Sequence, residues 1–525
     1  MLHTRLAILD PEHGQQPMLH PDSGVAIAYN GEVYNAPEIR EELVRRGHRF
    51  RTTTDTEVVL IAFVEFGADC AAMFEGMFAY AIWDPCDSTL HVARDRMGEK
   101  PLYYVRLSDG ATLIASEIKA LLAAGFRPSV DSAAIDHYLE WKYTRTDSTI
   151  YREVEIVPAA HTMVFDRGSV IRKRFWSLPP SDAAGAIGEG EALDQLNDLL
   201  QASVRKRLQS DRKIGLFLSG GVDSTILGAM AAAQSPERLA GFTVAYGADL
   251  DESRRAAAAA AQFGIDHTIL PIRAFSPADL EEVCSYLDQP HADSANIAHA
   301  LLSRCASEHV PVILAGDGAD ELFCGYRWYQ ANFSLAERQA RMNIFEAEQR
   351  RKLLGAQAAA AEQQWTGADD FDALNRFDLT HYLGGQLLPK ADMLSMKHGV
   401  ELRTPFLDFR LIEFARSLPE KMKVSVEGKP LLRLLHGRLL PDRPALKRKQ
   451  GFGAPLFQYL SAPGFLDYAQ ERLDKGARIR TLFDETELER LVRSLLQDLR
   501  GKNAYRLWVL LCLELWAESV QNRQV

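Results

Sequence analysis

Cysteine is scarce in this 525-residue chain. Six are present, Cys70, Cys86, Cys284, Cys305, Cys324 and Cys512, and no two stand in a C-x-x-C spacing. That excludes a disulfide framework and a cysteine-rich zinc site, and it fits a reducing cytoplasm. A basic excess is also missing. Sixty Lys and Arg stand against 71 Asp and Glu, for a net charge of −11, which excludes general nucleic-acid binding through a basic face. Long apolar runs are absent too. The most apolar late stretch, Leu507 to Trp516, is too short to span a bilayer and carries Glu514, so it reads as a buried C-terminal helix. Met1-Leu2-His3-Thr4-Arg5 has neither a basic n-region nor an apolar h-region, so no signal peptide and no membrane partner are expected. The rest is ordinary: 47% hydrophobic and 25% charged, as in a soluble globular protein, over a length that calls for at least two domains.

Residues up to about Phe175 hold short β-like runs. Val25 to Tyr29 ends at Asn30-Gly31, a turn signal. Met77 to Trp83 and Thr89 to Arg94 flank Asp84-Pro85-Cys86-Asp87 as a hairpin, while Glu38 to Arg46 and Glu57 to Phe66 read as helices. This mixture predicts a layered α+β domain. Residues 177–190, rich in Pro, Gly and Ala, form the candidate linker. Beyond it, Leu193, Leu196, Leu200, Val204 and Leu208 mark one face of a helix. Strands then alternate with helices: Ile214–Leu218, Leu239–Tyr246 and Val310–Ala315, with an Ala-rich helix over Arg254–Gln262. That order predicts a doubly wound parallel sheet, with ligands beyond the carboxyl ends of its strands. From about Arg327 the pattern is mostly helical, and Ala356 to Gln364 carries little chemical content.

The strongest local signal is Leu216-Phe217-Leu218-Ser219-Gly220-Gly221-Val222-Asp223-Ser224. An apolar run stops at Ser-Gly-Gly and a helix-like pattern follows. Adjacent glycines leave backbone N–H groups open to an anion, and the helix start adds partial positive charge. Ser219 and Ser224 add hydroxyl donors. Asp223 beside bound phosphates calls for a cation between them, which suggests Mg²⁺. The loop reads as a site for the pyrophosphate of ATP. It is not a Walker A loop, because no Lys follows the glycines.

Ala315-Gly316-Asp317-Gly318-Ala319-Asp320-Glu321 ends another strand with three carboxylates in five positions. By itself it reads equally as a solvated acidic turn. Joined to the first loop on one sheet edge, Asp223 and Asp320 become candidate Mg²⁺ ligands and Asp317 faces the reacting centre. Lys429, and the cluster Lys447-Arg448-Lys449 before Gln450-Gly451-Phe452-Gly453, read either as surface charges or as phosphate clamps. His267 reads as structural.

Taken together, SGGVDS (219–224), AGDGADELFCGY (315–326), KADMLSMKHGVELRTPFLD (390–408), GKPLLR (428–433) and KRKQGFGAPL (447–456) resemble the class-II, glutamine-dependent asparagine synthetase family, over nearly the whole chain. The resemblance implies two domains. Residues 1–176 would be an Ntn-type αββα glutaminase-like domain and 191–525 an ATP-pyrophosphatase-type parallel α/β domain with a helical C-terminal part. The second would adenylate a carboxylate, release pyrophosphate and let ammonia attack. By resemblance, Ser219, Gly220, Gly221, Asp223 and Ser224 hold pyrophosphate. Leu218, Val244, Ala315 and Gly316 contact the nucleotide, and Asp320 is the second metal ligand. Asp317 supports acyl-adenylate formation and Lys429 offsets charge in the reaction. In the first domain, Arg5 would bind the α-carboxylate of glutamine and Asp55 its amino group. Asn30-Gly31-Glu32 would match the oxyanion turn and its neighbour. The implied cofactors are ATP and Mg²⁺, the partners small molecules, and a homodimer is left open.

Two departures stand out. The family's N-terminal nucleophilic Cys is missing, since residue 2 is Leu and the first Cys is Cys70. The expectation is a chain truncated at its N-terminus, without glutaminase activity as it stands, whose first domain buries its core poorly. The rival is an ammonia-dependent enzyme with a vestigial glutaminase domain. Secondly, Leu287 to His299 (LDQPHADSANIAH) differs from the Thr-Thr-Ile-Arg-type substrate segment of the best-known synthetases. Aspartate is the leading acceptor. A sugar acid, a peptide acid or an internal amine, as in β-lactam synthetases and lasso-peptide cyclases, are the alternatives.

Overall fold

Residues 26–29 alternate between more and less buried side chains, the period of a strand, while residues 77–80 are all buried, as in a strand covered on both faces. The computed structural model describes all residues except 182–186, 246–251, 273–274, 356–369, 442–455 and 525. Its first part runs β1 (Met18–Leu19), β2 (Ala26–Val33), α1 (Ala36–Arg45), α2 (Asp55–Phe66), β3 (Gly76–Asp84), β4 (Thr89–Arg94), β5 (Tyr103–Arg106), β6 (Thr112–Ala115), α3 (Ile118–Ala123), α4 (Ser132–Trp141), β7 (Glu155–Ile156), β8 (His161–Asp166) and β9 (Ser169–Arg174). Six of these strands form one antiparallel sheet, β1-β2-β3-β4-β8-β9, and three form another, β6-β5-β7.

Apolar clusters stack these elements in four layers. Val58, Val59 and Leu43 of the first two helices pack on Ile27, Phe78 and Tyr80. Across the six-stranded sheet, Ala79, Val92 and Met163 meet Leu102, Tyr104 and Val157. Beneath the three-stranded sheet, Tyr103 and Val105 meet Ile118, Leu121 and Tyr138. This is the αββα order. The core is filled, with Phe78, Ile82 and Met163 all wholly buried, contrary to the expectation of a poorly buried one. One element differs from its sequence reading. β2 runs through Asn30-Gly31, which pair with Ala79 and Phe78, so no turn forms there. Gly31 sits at φ 137°, and a Cβ on it would lie 2.0 Å from the Met77 carbonyl oxygen. The Asn-Gly pair marks a close approach of two backbones.

The second part runs α5 (Glu189–Arg207), β10 (Ile214–Phe217), α6 (Val222–Gln234), β11 (Ala240–Ala245), α7 (Ser253–Phe263), β12 (Asp266–Pro271), α8 (Pro277–Tyr286), α9 (Asn296–Ser307), β13 (Val312–Leu314), α10 (Leu388–Met396), β14 (Glu401–Arg403), α11 (Pro430–Leu439) and α12 (Asn503–Gln524), with shorter helices between. Its five strands are parallel in the order β12-β11-β10-β13-β14. The chain leaves β10 in one direction and returns on its other side, so the switch point lies between β10 and β13. β14 escapes a sequence reading because it is three residues long and two of them are charged. The C-terminal helix is buried as expected: Leu507, Trp508 and Trp516 belong to the cluster that also holds Tyr138 and Leu139 of α4. A single apolar core therefore crosses from one part to the other. The Ala356–Gln364 stretch lies outside the described residues. Among the described residues no helix is long and apolar enough to cross a membrane.

Buried charges also tie the parts together. Lys100 meets Asp392 at 2.7 Å, Arg403 meets Glu32 at 2.9 Å, and the Thr404 hydroxyl donates to Glu99. Burial, then the neighbouring Asp95 charge, raise Glu99 to about 8 against the opposing pull of Arg207, Thr404 and Lys100. A carboxyl whose folded value lies above its ordinary 4.5 adds stability that is complete below that value and lost as pH rises through about 8. Glu99→Gln should thus flatten the decline in urea stability between about pH 5 and 8. An unchanged slope across that window would refute the assignment.

Candidate active site

β10 ends at Phe217 and delivers buried Leu218 to the loop Ser219-Gly220-Gly221. Gly220 has φ 76°, and a Cβ there would come within 2.7 Å of the Ala256 nitrogen, so only glycine lets the loop pass α7. Gly221 opens α6 with no side chain capping it. The first N–H groups of the helix are therefore not met by a capping side chain. The loop holds its own shape. Ser219 N–H donates to Ser224 Oγ at 3.2 Å, the two hydroxyls lie 3.0 Å apart, and Gly221 N–H donates to Ser219 Oγ at 3.3 Å.

The loop after β13 lies alongside. Ala315 N–H donates to the Arg403 carbonyl at 2.9 Å, and a Cβ on Gly316 would sit 3.5 Å from the Asp223 Cβ. Half-buried Asp317 follows, then Gly318 at φ 90°, where a side chain would strike Leu407. Lys429 completes the group: its Nζ lies 2.5 Å from Asp223 Oδ2 and 2.7 Å from Asp320 Oδ1. Burial pulls the ammonium down, but the two carboxylates outweigh it and hold Lys429 above the ordinary lysine value. Its backbone is left-handed, φ 50° and ψ 52°, a conformation that costs a non-glycine residue of order 1–3 kcal/mol. Gly325 passes beneath the pair so closely that a Cβ would lie 2.0 Å from both Asp320 Oδ1 and Lys429 Cε. Two carboxylates from separate segments thus converge on one positive charge. This donor set fits Mg²⁺ only with added oxygens, because the described residues contain no group of three or more His, Cys, Asp or Glu placed for a metal.

Val244 is buried near the carboxyl end of β11, beside Leu218, whose N–H donates to the Phe242 carbonyl at 2.9 Å. The sequence-predicted residues of the second part, Leu218, Ser219 to Ser224, Val244, Ala315 to Asp317, Asp320 and Lys429, therefore share one sheet edge. His267 bonds Thr243 Oγ1 at 2.7 Å, and that hydroxyl donates to the Leu218 carbonyl, a supporting position. Lys447-Arg448-Lys449 and Gln450-Gly451-Phe452-Gly453 lie outside the described residues.

In the first part the candidate side chains are engaged by the protein. Arg5 donates to the carbonyls of Leu9, Asp10 and Pro11, pinning its own loop. Asp55, at the start of α2, accepts from the Tyr29 hydroxyl at 2.6 Å and from Val33 N–H at 3.0 Å. Asn30 and Gly31 sit in β2, and the Glu32 carboxylate turns to Arg403. A cavity of about 330 Å³ lies between the two parts instead of at the phosphate-type loop, and its walls include Glu99, His161, His291 and Lys390. Arg403 and Lys390 were not singled out as functional residues from sequence. Both stand in the segment 390–408 that carries part of the family resemblance, and that was their signal.

The family description "Asparagine synthase" matches residues 195–518, and "Glutamine amidotransferase domain" matches residues 1–176. Glutamine-hydrolysing asparagine synthetase 1 of Bacillus subtilis (strain 168) is 27% identical, covering 98% of this chain and 88% of its own. A putative glutamine-hydrolysing asparagine synthetase of Mycobacterium tuberculosis (strain ATCC 25618 / H37Rv) is 30% identical over the same shares, 98% and 88%. Synthetase 3 of Bacillus subtilis is 29% identical over 94% and 86%. With two thirds of the chain and more aligned to such relatives, and the phosphate-type loop, paired aspartates and bridging lysine assembled on one sheet edge, the protein belongs to the asparagine synthase family of carbon–nitrogen ligases.

Proposed function

We propose that the protein amidates a carboxylate through an acyl-adenylate, using ATP, with aspartate as first acceptor and ammonia or glutamine as nitrogen donor. The observation that carries this reading is the Lys429 ammonium held between Asp223 and Asp320 beside the Ser-Gly-Gly loop. The loop N–H groups and the start of α6 receive the pyrophosphate end of ATP. Asp223 and Asp320 would hold Mg²⁺, which supplies charge neutralisation for the triphosphate when bound. An acceptor carboxylate oxygen attacks the α-phosphorus and pyrophosphate leaves. Lys429, fixed in advance, offsets the negative charge that moves onto the leaving group. Ammonia then attacks the acyl carbon, AMP leaves, and a proton is lost from nitrogen. Half-buried Asp317, in the loop after β13, supports the acyl-adenylate. The six cysteines are unpaired, which supports a reducing compartment, the cytoplasm.

Exchange of labelled pyrophosphate into ATP, dependent on Mg²⁺ and an acid, tests the reading. Wild type should exchange and Asp223→Ala should fall to background. Equal exchange by the two proteins would overturn it. Product formed with ammonia alone separates amidation from ring closure by an internal amine.

A further inference from the structure

The cavity between the two parts has no role in the chemistry above. It encloses about 330 Å³, the size of a small-ligand site. Its interior is apolar, with buried Tyr103, Leu287, Leu379 and Met393 in its walls. Asp147, Arg174 and Ser177 are exposed and mark where it opens. The segment that joins the two parts forms one side. β9 ends at Arg174, and the next residue, Phe175, stacks on Phe78 of the first part's core, with ring centres 6.4 Å apart. Arg174 and Trp176, on either side of it in sequence, line the cavity instead. The Trp176 indole N–H donates to Glu413 at 2.8 Å, which fixes that ring. A π-helical stretch, Asp378–Leu387, supplies Leu379, Thr380, Gly384 and Gly385 to another side, and such stretches are frequent at functional sites.

Charge in this cavity is uneven. Six Lys and Arg residues line it against two acids, Glu99 and Asp147. Both acids are engaged: Asp147 by Arg145 through two bonds of 2.8 Å, Glu99 by the Thr404 hydroxyl. Arg94 and Arg96 give their N–H groups to backbone carbonyls, and Lys390 pairs with Asp293. Two guanidiniums keep spare donors. Exposed Arg174 makes no side-chain hydrogen bond or ion pair among the described residues. Arg376 is held loosely, by the Leu178 and Pro179 carbonyls at 3.3 and 3.4 Å and by Asp372 at 3.6 Å, a carboxylate that Arg416 already binds.

We infer that this cavity is a binding site for an amphiphilic monoanion, a carboxylate on a compact aromatic or aliphatic body. The body packs on Trp176, Tyr103 and Met393, where its apolar surface leaves water. The carboxylate takes N–H groups of Arg174 and Arg376, whose planar forks match its two oxygens. The inference does not depend on the adenylation proposed above.

Titration calorimetry on the full-length chain tests it with 1-naphthoate, 1-naphthylmethanol and 1-naphthylmethylamine, which share a body and differ in the charge of the head. The acid should bind at one equivalent with a Kd of about 10–100 µM, the range for a ligand of this size. The amine should bind at least about 10-fold more weakly, with the alcohol between them. Arg174→Met and Arg376→Met should each weaken the acid about 5–10-fold, the loss of one charged contact, and leave the alcohol unchanged. Saturating Mg²⁺-ATP or aspartate should not displace the acid. Absence of saturable binding by the acid, equal affinity for acid and amine, unchanged acid affinity in both variants, or displacement by ATP or aspartate overturns the inference. The comparison of the three probes on wild-type protein holds even if a variant fails to fold.

Discussion

Lys429→Met should lower ATP–pyrophosphate exchange by about 10²–10³-fold, the scale of removing one preorganised charge from a transition state. The reason is local. Lys429 Nζ is the cation between Asp223 and Asp320, at 2.5 and 2.7 Å, in a place where the side chain is almost wholly buried. Without it two carboxylates face each other across the space where negative phosphate oxygens must enter. Lys429→Arg should not rescue, because Gly325 leaves no room for a wider head group beneath the pair. Lys429→Gly separates structure from chemistry. It relieves the left-handed backbone at φ 50° yet removes the charge, so it should unfold no earlier than Lys429→Met while remaining as inactive. Exchange at the wild-type rate in Lys429→Met, in protein with a native circular dichroism spectrum, would end the functional reading of this lysine.

The largest stability effect should come from Arg403→Met. The guanidinium is fully buried, pairs with Glu32 and Glu401 at 2.9 Å each, and donates to the carbonyls of Arg207 and Gln209 at 3.0 and 2.6 Å. Removing it strands two buried carboxylates, a change that costs about 3–5 kcal/mol. Burial already raises Glu32 despite Arg403, so the stranded Glu32 should protonate and the variant should be least stable at high pH. Its first urea transition should shift to lower denaturant. The triple variant Arg403→Met, Glu32→Gln, Glu401→Gln should regain most of the loss, since the cost lies in unpaired charge. A single variant as stable as wild type would show that the pair contributes nothing. Arg403 also joins two candidate segments: its carbonyl takes Ala315 N–H, and its side chain takes the residue that follows Gly31.

The two strongest motifs were legible because each needs only neighbours in sequence. A strand, two glycines and a helix start shape a tight loop from local spacing alone, and Ser219 to Ser224 close one here through their own hydrogen bonds. The same holds for the hairpin at Asp84 to Thr89 and for the helix face marked by Leu193, Leu196, Leu200, Val204 and Leu208, of which Leu196, Leu200 and Val204 are buried. Asn30-Gly31 misled because glycine serves a turn and a close backbone contact equally well. Lys429 was ambiguous because a lysine before a proline-started helix is usually a surface residue. Its burial and charge pairing depend on two aspartates some 100 and 200 positions away, at 320 and 223.

Sequence alone determined the local chemistry of this chain: which loops can grip an anion, which faces must be buried, and which family it resembles. Those follow from spacing within a few residues, where backbone geometry leaves little choice. Tertiary structure decided which charges meet. Glu32 with Arg403, Lys390 with Asp293, and Lys429 with both aspartates are pairings made only when distant segments close on a common interior. Burial there strips away water, so the partner a charge finds determines what it can do.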